Sequence, residues 1–353
     1  MTSITTIAVI GSKGHQGRGV VERLLSTTDY FVRAISSNPS SDKATSLVSK
    51  YSDHVKAGRF EVVEGNLNDP SSLEKALQGA YGVFAAFAPS VSEGAIEENP
   101  EVVQGKNLVD AAKTAGIKHF VYSSLPSLAK ITNGKRTEVF PFETKALVEE
   151  YARKNFENST FLIPGGFFSN LENPLWAKRR DDGVFVLTNC NKPESKLGWV
   201  DEAYDMGTFA AGTTFSPFSS QSHSILIPHF ICLAIFKKGP SITAGKTYPV
   251  NSEPVSASEF AKIYEEVTGE RAEADPLPFE TTRQILNSRA GEKFSKALMG
   301  MFQHLDDMEP APYTYGTGYI DNDTAREDLG VKASSPAEFL KRTGWRAPPV
   351  PSA

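Results

Sequence analysis

The chain lacks the features that mark several large protein classes. Two of its 353 residues are cysteines, Cys190 and Cys232, too few for a disulfide framework and in keeping with a reducing compartment. There is no surplus of basic residues: 37 Lys and Arg stand against 42 Asp and Glu, a net charge of −5. No broad positive face is implied, and direct nucleic-acid binding is not expected. Long hydrophobic runs are also missing. The longest, Ile225–Phe236, contains Pro228 and His229 and is too short to cross a bilayer, so no membrane association is expected. The six histidines (15, 54, 119, 223, 229 and 304) show no metal-ligand spacing, and no metal is expected. No basic stretch precedes the first apolar run, so no secretory signal is expected. These absences predict a cytoplasmic protein, also nuclear if its role is regulatory.

What is there is an alternation. Thr5–Gly11 (TTIAVIG), Phe31–Ser36, Arg59–Gly65, Tyr81–Ala88, Lys118–Ser124 and Ser159–Gly165 are apolar runs of strand length. Helical patterns separate them. Val20, Val21, Leu24 and Leu25 form one stripe. Asn68-Asp69-Pro70 supplies a cap and a first-turn proline. Glu101–Gly116 ends on glycine, and Phe142–Asn155 follows the fifth run. Strands and helices alternating through short connections predict a doubly wound parallel α/β sheet, a Rossmann fold, over residues 1–164, with ligands beyond the carboxyl ends of the strands. Those ends are Gly11, Ser36–Ser37, Gly65–Asn66, Phe87–Pro89, Ser123–Ser124 and Pro164–Gly166.

Past residue 164 the pattern loosens. Residues 165–353 are predicted to form a smaller, partly helical C-terminal lobe facing a substrate or partner, with a capping box at Ser256 and Glu259, an interrupted helix over Thr281–His304 and a short capped helix near the end. Gly207–Phe236 holds no Asp, Glu, Lys or Arg. It reads either as a buried or ligand-covering loop or as an insertion without structural role, such as a translated intron spanning 213–234.

The strongest motif is Gly11-Ser12-Lys13-Gly14-His15-Gln16-Gly17, between the first strand and the first helix. Gly11 permits the tight turn, Gly14 lets the backbone approach a diphosphate, and Gly17 lets the helix pack closely on the sheet. The helix then offers free N–H groups and a partial positive charge to the phosphates. The spacing is GxxGxxG, not the GxGxxG of many dehydrogenases.

From this loop onward the sequence resembles the NmrA-like family of atypical short-chain dehydrogenases. The resembling stretches run in family order: Val9–Leu25 (VIGSKGHQGRGVVERLL), Phe31–Ala44, Val62–Leu77, Ala80–Phe87, Gln104–Ser124 (QGKNLVDAAKTAGIKHFVYSS), Phe142–Lys154, Phe161–Leu171 and Phe339–Trp345. The Gly-x-x-Gly-x-Gln-Gly form with Gln16 is fairly specific to the group. The resemblance implies a Rossmann fold with a small C-terminal lobe and NAD(P) binding, with or without catalysis.

For the cofactor, the residues implied are Gly11, Lys13, Gly14, His15, Gln16 and Gly17 in the loop, and Ser36, Ser37, Asn38 and Lys43 after the second strand. Asn66 and Leu67 after the third strand, Phe87 and Ala88 after the fourth, Lys145, Pro164 and Phe167 complete the set. Neither the acidic residue that NAD-selective sites place after the second strand nor the arginine of many NADP-binding relatives is present: the sequence reads Ser36-Ser37-Asn38. Lys13 and Lys43 could meet a 2′-phosphate as point charges, which favours NADP(H) over NAD(H).

Short-chain dehydrogenases use a Tyr-x-x-x-Lys helix motif in which the phenol handles the proton. Lys145 occupies the lysine position, but Pro141 stands where the tyrosine would be. Ser123 and Ser124 end the fifth strand, and strand alternation predicts that Tyr122 points elsewhere. The resemblance therefore implies either of two roles. One is a redox sensor that couples dinucleotide state to a regulatory protein partner, which the missing tyrosine favours. The other is an NADPH-dependent oxidoreductase of the isoflavone-reductase-like kind, acting on a small-molecule carbonyl or enone with Lys145 in the acid/base role. Trp199, Asp201 and Asp205 are expected to pack below the cleft, without a catalytic part.

Overall fold

The structure is a computed structural model that describes residues 5–214, 231–232, 234–308, 314–316 and 322–348. Its centre is a seven-stranded sheet. In chain order the strands are β1 (Thr6–Ile10), β2 (Phe31–Ser36), β3 (Phe60–Glu64), β4 (Gly82–Ala85), β5 (His119–Ser123), β6 (Ser159–Pro164) and β7 (Thr247–Val250), arranged β7-β6-β5-β4-β1-β2-β3. Every pairing is parallel, so each connection must cross over a face, and both faces are covered. The expected doubly wound Rossmann sheet is therefore present, with one strand more than the six expected.

The period-two alternation of the strands sorts their side chains between two cores. Ile7, Val9, Val32, Ala34, Phe84, Val121 and Leu162 face α1 (His15–Thr27), which buries Val20, Val21, Leu24 and Leu25 against them. Ala8, Ile10, Val83, Ala85, Phe120, Tyr122 and Phe161 face the other layer. That layer consists of α2 (Pro70–Leu77), α3 (Pro100–Thr114) and α4 (Phe140–Asn155). Asp69 caps α2 by accepting from the Ser72 N–H at 3.2 Å.

The chain past residue 164 does not stay in a second lobe. β7 joins the sheet beside β6. Helix α5 (Tyr204–Ala211) lies on α1 so closely that a Cβ on Gly19 or Gly207 would overlap the facing backbone. Residues 325–333 also contribute to the α1-side core. The rest forms a separate core in which Phe168 stacks between Trp199, at 5.6 Å, and Phe339, at 4.1 Å. Around it stand α6 (Ala257–Thr268), α7 (Phe279–Ala290), α8 (Glu292–Asp307) and α9 (Pro336–Thr343). The expected break in the 281–304 helix falls at Gly291, whose φ of +80° separates α7 from α8.

The uncharged Gly207–Phe236 stretch is framework at its flanks. Gly207–Ala211 belong to the buried helix α5, and Phe236 packs its ring against His119 at 5.5 Å. Thr213–Thr214 pair antiparallel with Ile231–Cys232. The choice between covering loop and insertion concerns 215–230, which lie outside the described residues. No helix among the described residues is long and apolar enough to cross a membrane.

Candidate functional site

The glycine loop joins β1 to α1 at the carboxyl edge of the sheet. Gly11 has φ +78°, and a Cβ there would collide with the Ala86 carbonyl; a Cβ on Gly17 would collide with Gly11 itself. Gly14 differs. Its backbone is extended (φ −87°, ψ 170°), and its missing Cβ would have only the Gly11 carbonyl oxygen nearby, at 3.4 Å. The space over Gly14 is open. No side chain caps α1 and no acidic residue sits in its first turn, so the amino end presents N–H groups and a partial positive charge outward. Two buried polar atoms here, Ser12 Oγ and Gln16 Oε1, have no hydrogen-bond partner among the described residues. Unpaired buried polar atoms are costly, and a ligand with a hydrogen-bond donor would satisfy Gln16, which lines the second cavity described below.

A cavity of about 400 Å³, lined by both polar and apolar residues, begins at this loop and runs across the ends of β1, β2 and β3. Gly11, Lys13, Gly14, Ser36, Ser37, Asn66, Leu67, Phe87 and Ala88 line it. Lys13 Nζ donates to Ser36 Oγ at 2.9 Å, which holds the ammonium at the end of β2. Ser36 Oγ also donates to the Asn38 carbonyl at 2.9 Å, so Asn38 shapes the turn and does not line the cavity. Lys43 is exposed on the following helix and lines neither cavity, so it does not join Lys13 as expected. His15 turns away toward the buried Glu202, 3.3 Å from its carboxylate.

A second, mostly apolar cavity of about 460 Å³ adjoins the first. Gly14 and Ala88 line one, Gln16 and Pro89 the other. Ser123, Ser124, Pro141, Lys145, Pro164 and Phe167 form its sheet-side wall. Phe142, Trp176, Phe294, Met301 and Tyr315 are among its apolar walls, and Arg289 lies on its α7 side. The Phe167–Phe168 pair divides: Phe167 lines the cavity, while Phe168 is buried in the aromatic stack.

Lys145 is nearly buried on α4. Its ammonium donates to the Phe87 carbonyl at 2.9 Å and pairs with the Glu101 carboxylate. Glu101 is 0% exposed. Its other carboxylate oxygen accepts from Thr144 Oγ1 at 2.6 Å. Glu101 stands in the first turn of α3, where Asn99 caps its N–H at 2.9 Å, and the positive end of the helix favours the carboxylate. Asn99 in turn donates to the Ser90 carbonyl at 2.7 Å, tying down the loop after β4. Sequence reading saw Glu101 as the start of a helix only. An acidic residue directly after Asn-Pro was its one visible signal, and that pattern marks solvated helix starts equally well.

Where the tyrosine of the dehydrogenase motif would stand, the apolar ring of Pro141 lines the cavity. Tyr122 does not substitute. It faces the α2–α4 layer, 5.6 Å from the Phe87 ring, and burial pushes its phenol well above the ordinary value. Tyr315 does reach the cavity, against Phe142 at 4.9 Å, but burial also raises its phenol and makes it a poor proton donor. Trp199 is in the aromatic core, and Asp201 and Asp205 join the start of α5 to the C-terminal segment. Asp201 pairs with Arg342 at 2.8 Å. Asp205, 0% exposed, accepts from the Ser334 N–H and hydroxyl at 3.0 and 2.7 Å.

The NmrA-like family model matches residues 3–232. The NmrA-like family domain-containing oxidoreductase malD of Malbranchea aurantiaca is 30% identical over 283 residues, 75% of this chain and 74% of that one. The corresponding oxidoreductase himF of Aspergillus japonicus is 28% identical over 327 residues, 90% and 88% of the two chains. Among solved structures, Nmra, a negative transcriptional regulator in complex with NAD, superposes with a TM-score of 0.72 at 20% identity, covering 97% of this chain and 96% of that one. Nmra in complex with NADP gives 0.69 at 20% identity and the same coverage. The Citrobacter sp. triphenylmethane reductase complexed with NADP(H) gives 0.61 at 20% identity, covering 95% and 99%. The structural likenesses establish the shared fold, and the family match, with the relatives in Malbranchea and Aspergillus, establishes kinship: the chain belongs to the NmrA-like family.

Proposed function

We propose that the protein is an NAD(P)(H)-dependent oxidoreductase acting on a small molecule. The observation that carries this reading is the apolar cavity of about 460 Å³ adjoining the glycine loop with Lys145 in its wall. A cavity of that size and lining suits a drug-sized ligand. A sensor that only reads the dinucleotide has no need of one. The relatives named as oxidoreductases support the same reading.

The residues present fit a dinucleotide. The open Gly14 and the uncapped α1 terminus suit a diphosphate, and the unpartnered Gln16 amide oxygen suits a donor group beside it. Lys13, held at the end of β2 with no acidic residue lining the cavity there, favours a 2′-phosphate and hence NADP(H). The nicotinamide, when bound, supplies a hydride. Lys145 Nζ–H then serves as the donor toward a substrate oxygen or the adjoining ribose. Glu101 and the Phe87 carbonyl take two of its hydrogens and leave the third to point outward. Thr144 fixes Glu101 in turn. Phe142, Phe167 and Trp176 exclude water from the polar end, which strengthens that hydrogen bond.

One observation favours the sensor reading: Pro141 in the tyrosine position, in a fold shared with a negative transcriptional regulator. The deciding experiment follows NADPH oxidation with aldehydes, quinones and enones, comparing Glu101→Gln with the Lys145→Met/Glu101→Gln pair. Turnover that persists in the first and vanishes in the second, with dinucleotide affinity within about tenfold, supports the oxidoreductase. Dinucleotide binding without turnover across the panel, together with dinucleotide-dependent capture of a protein partner, overturns it in favour of the sensor.

A further inference from the structure

The charge distribution of the apolar cavity narrows its ligand, on the premise that this cavity is the substrate site of the proposed oxidoreductase. Among the described residues, no aspartate or glutamate lines it. Its two charged lining residues are both cations, Lys145 and Arg289. They are not equivalent. Lys145 is neutralised from behind by the fully buried Glu101. Arg289 has no ion-pair or hydrogen-bond partner among the described residues. It sits in the last turn of α7, on the exposed side of the cavity. The electrostatic balance is therefore neutral at the Lys145 end and positive at the Arg289 end, with aromatic surface such as Phe142 and Trp176 between.

We propose that the cavity binds an amphiphilic monoanion. Its ligand has a bulky, mostly aromatic or polycyclic body carrying the reacting carbonyl or enone, and a carboxylate or comparable acid that reaches Arg289. A guanidinium facing such a group makes charge-assisted, often bidentate hydrogen bonds. A cationic ligand of the same shape meets the unpaired Arg289 and no acid in the cavity wall to attract it, so it is disfavoured. Arg289 is then a specificity residue, not a catalytic one: it selects the acid-bearing molecule and orients its other end toward Lys145.

A pair of dyes of nearly equal size tests this on the full chain loaded with NADPH: the sulfonate 8-anilino-1-naphthalenesulfonate and its uncharged relative N-phenyl-1-naphthylamine. Binding is read by dye fluorescence and by quenching of Trp176, which lines the cavity. The expected result is saturable binding of one sulfonate dye per chain. Arg289→Gln weakens it by about fivefold or more and leaves the neutral dye unchanged. Arg289 is exposed, so the variant folds normally. Ala297→Phe, which fills the cavity, removes both dyes. Equal affinity for the two dyes, or an Arg289→Gln variant that binds the sulfonate as tightly as the parent, overturns the proposal. Sulfonate binding that survives Ala297→Phe also overturns it, because that dye then sits elsewhere. No arm depends on turnover. Dye discrimination without hydride transfer would refute the oxidoreductase reading while leaving the ligand class intact, and turnover without dye discrimination would do the reverse.

Discussion

The two adjoining cavities are built by opposite means. The one at the glycine loop is lined by glycines and by small polar and apolar residues, all from the first 104 positions. On the proposed reading its binding groups are peptide N–H donors fixed by a turn and a helix end. The apolar one draws side chains from residues 16 to 315, on both sides of the sheet edge and from the second lobe. A site made of main chain keeps one chemical pattern, here on the proposed reading that of a diphosphate, as long as the fold persists. A site made of distant side chains changes its ligand with a few substitutions. The comparison suits a fold that carries both a regulator and oxidoreductases on one framework.

The largest expected effect probes the joint between the cavities. Lys145→Met leaves the buried Glu101 carboxyl without its cation, so stability should fall by about 3–5 kcal/mol. Adding Glu101→Gln should restore most of that loss without restoring turnover. Chemical denaturation of the two single variants and the pair measures it; additive losses would mean that the pair is not coupled.

Next come the glycines, which separate folding from binding within the glycine-loop cavity. Gly11→Ala forces a side chain into a left-handed backbone and into the Ala86 carbonyl, and should cost about 3 kcal/mol of stability. Gly14→Val occupies open space in an extended backbone. Its melting temperature should stay within about 2 °C of the parent, while NADPH affinity falls about a hundredfold, roughly 2.7 kcal/mol. A Gly14→Val chain that binds NADPH normally would place the diphosphate elsewhere.

The smallest effect concerns the buried contact between Asp205 of α5 and Ser334. Burial raises the Asp205 carboxyl from its ordinary 3.8 to about 7. The native protein thus keeps a proton that the unfolded chain releases. This contribution is fully present below 3.8 and is lost as pH rises through about 7. Stability should fall by on the order of 2 kcal/mol between about pH 5.5 and 7.5. Asp205→Asn should flatten that slope, and thermal melts across the range would show it.

The contrast between the cavities also governs what could be read from the sequence. The strands and the glycine turn were legible because local pattern sets them: a buried parallel strand is an apolar run, and a turn with φ of +78° calls for Gly11. β7 was not legible, because Thr247–Val250 is short and contains Pro249. Proline is tolerated there because, among the described residues, β7 is an edge strand that pairs with β6 alone. Glu101, Trp176 and Arg289 were missed because their roles depend on contacts between residues far apart in sequence. Lys43 was placed near the cofactor by its nearness in sequence to Ser36, but the α-helix carries its side chain to the surface. Lys13, seven residues from the start of β1, reaches Ser36 across the sheet edge because β1 and β2 are neighbours.

The account rests on a reduced nicotinamide entering the apolar cavity from a diphosphate held at Gly14, and energy transfer to NADPH from Trp176 and Trp199, whose rings lie 6.0 Å apart, measures this directly. Saturable NADPH binding should quench tryptophan emission and sensitise nicotinamide emission, and Gly14→Val should abolish both at the same concentrations. Undiminished NADPH binding by Gly14→Val, or no NADPH binding by the parent chain, would contradict it.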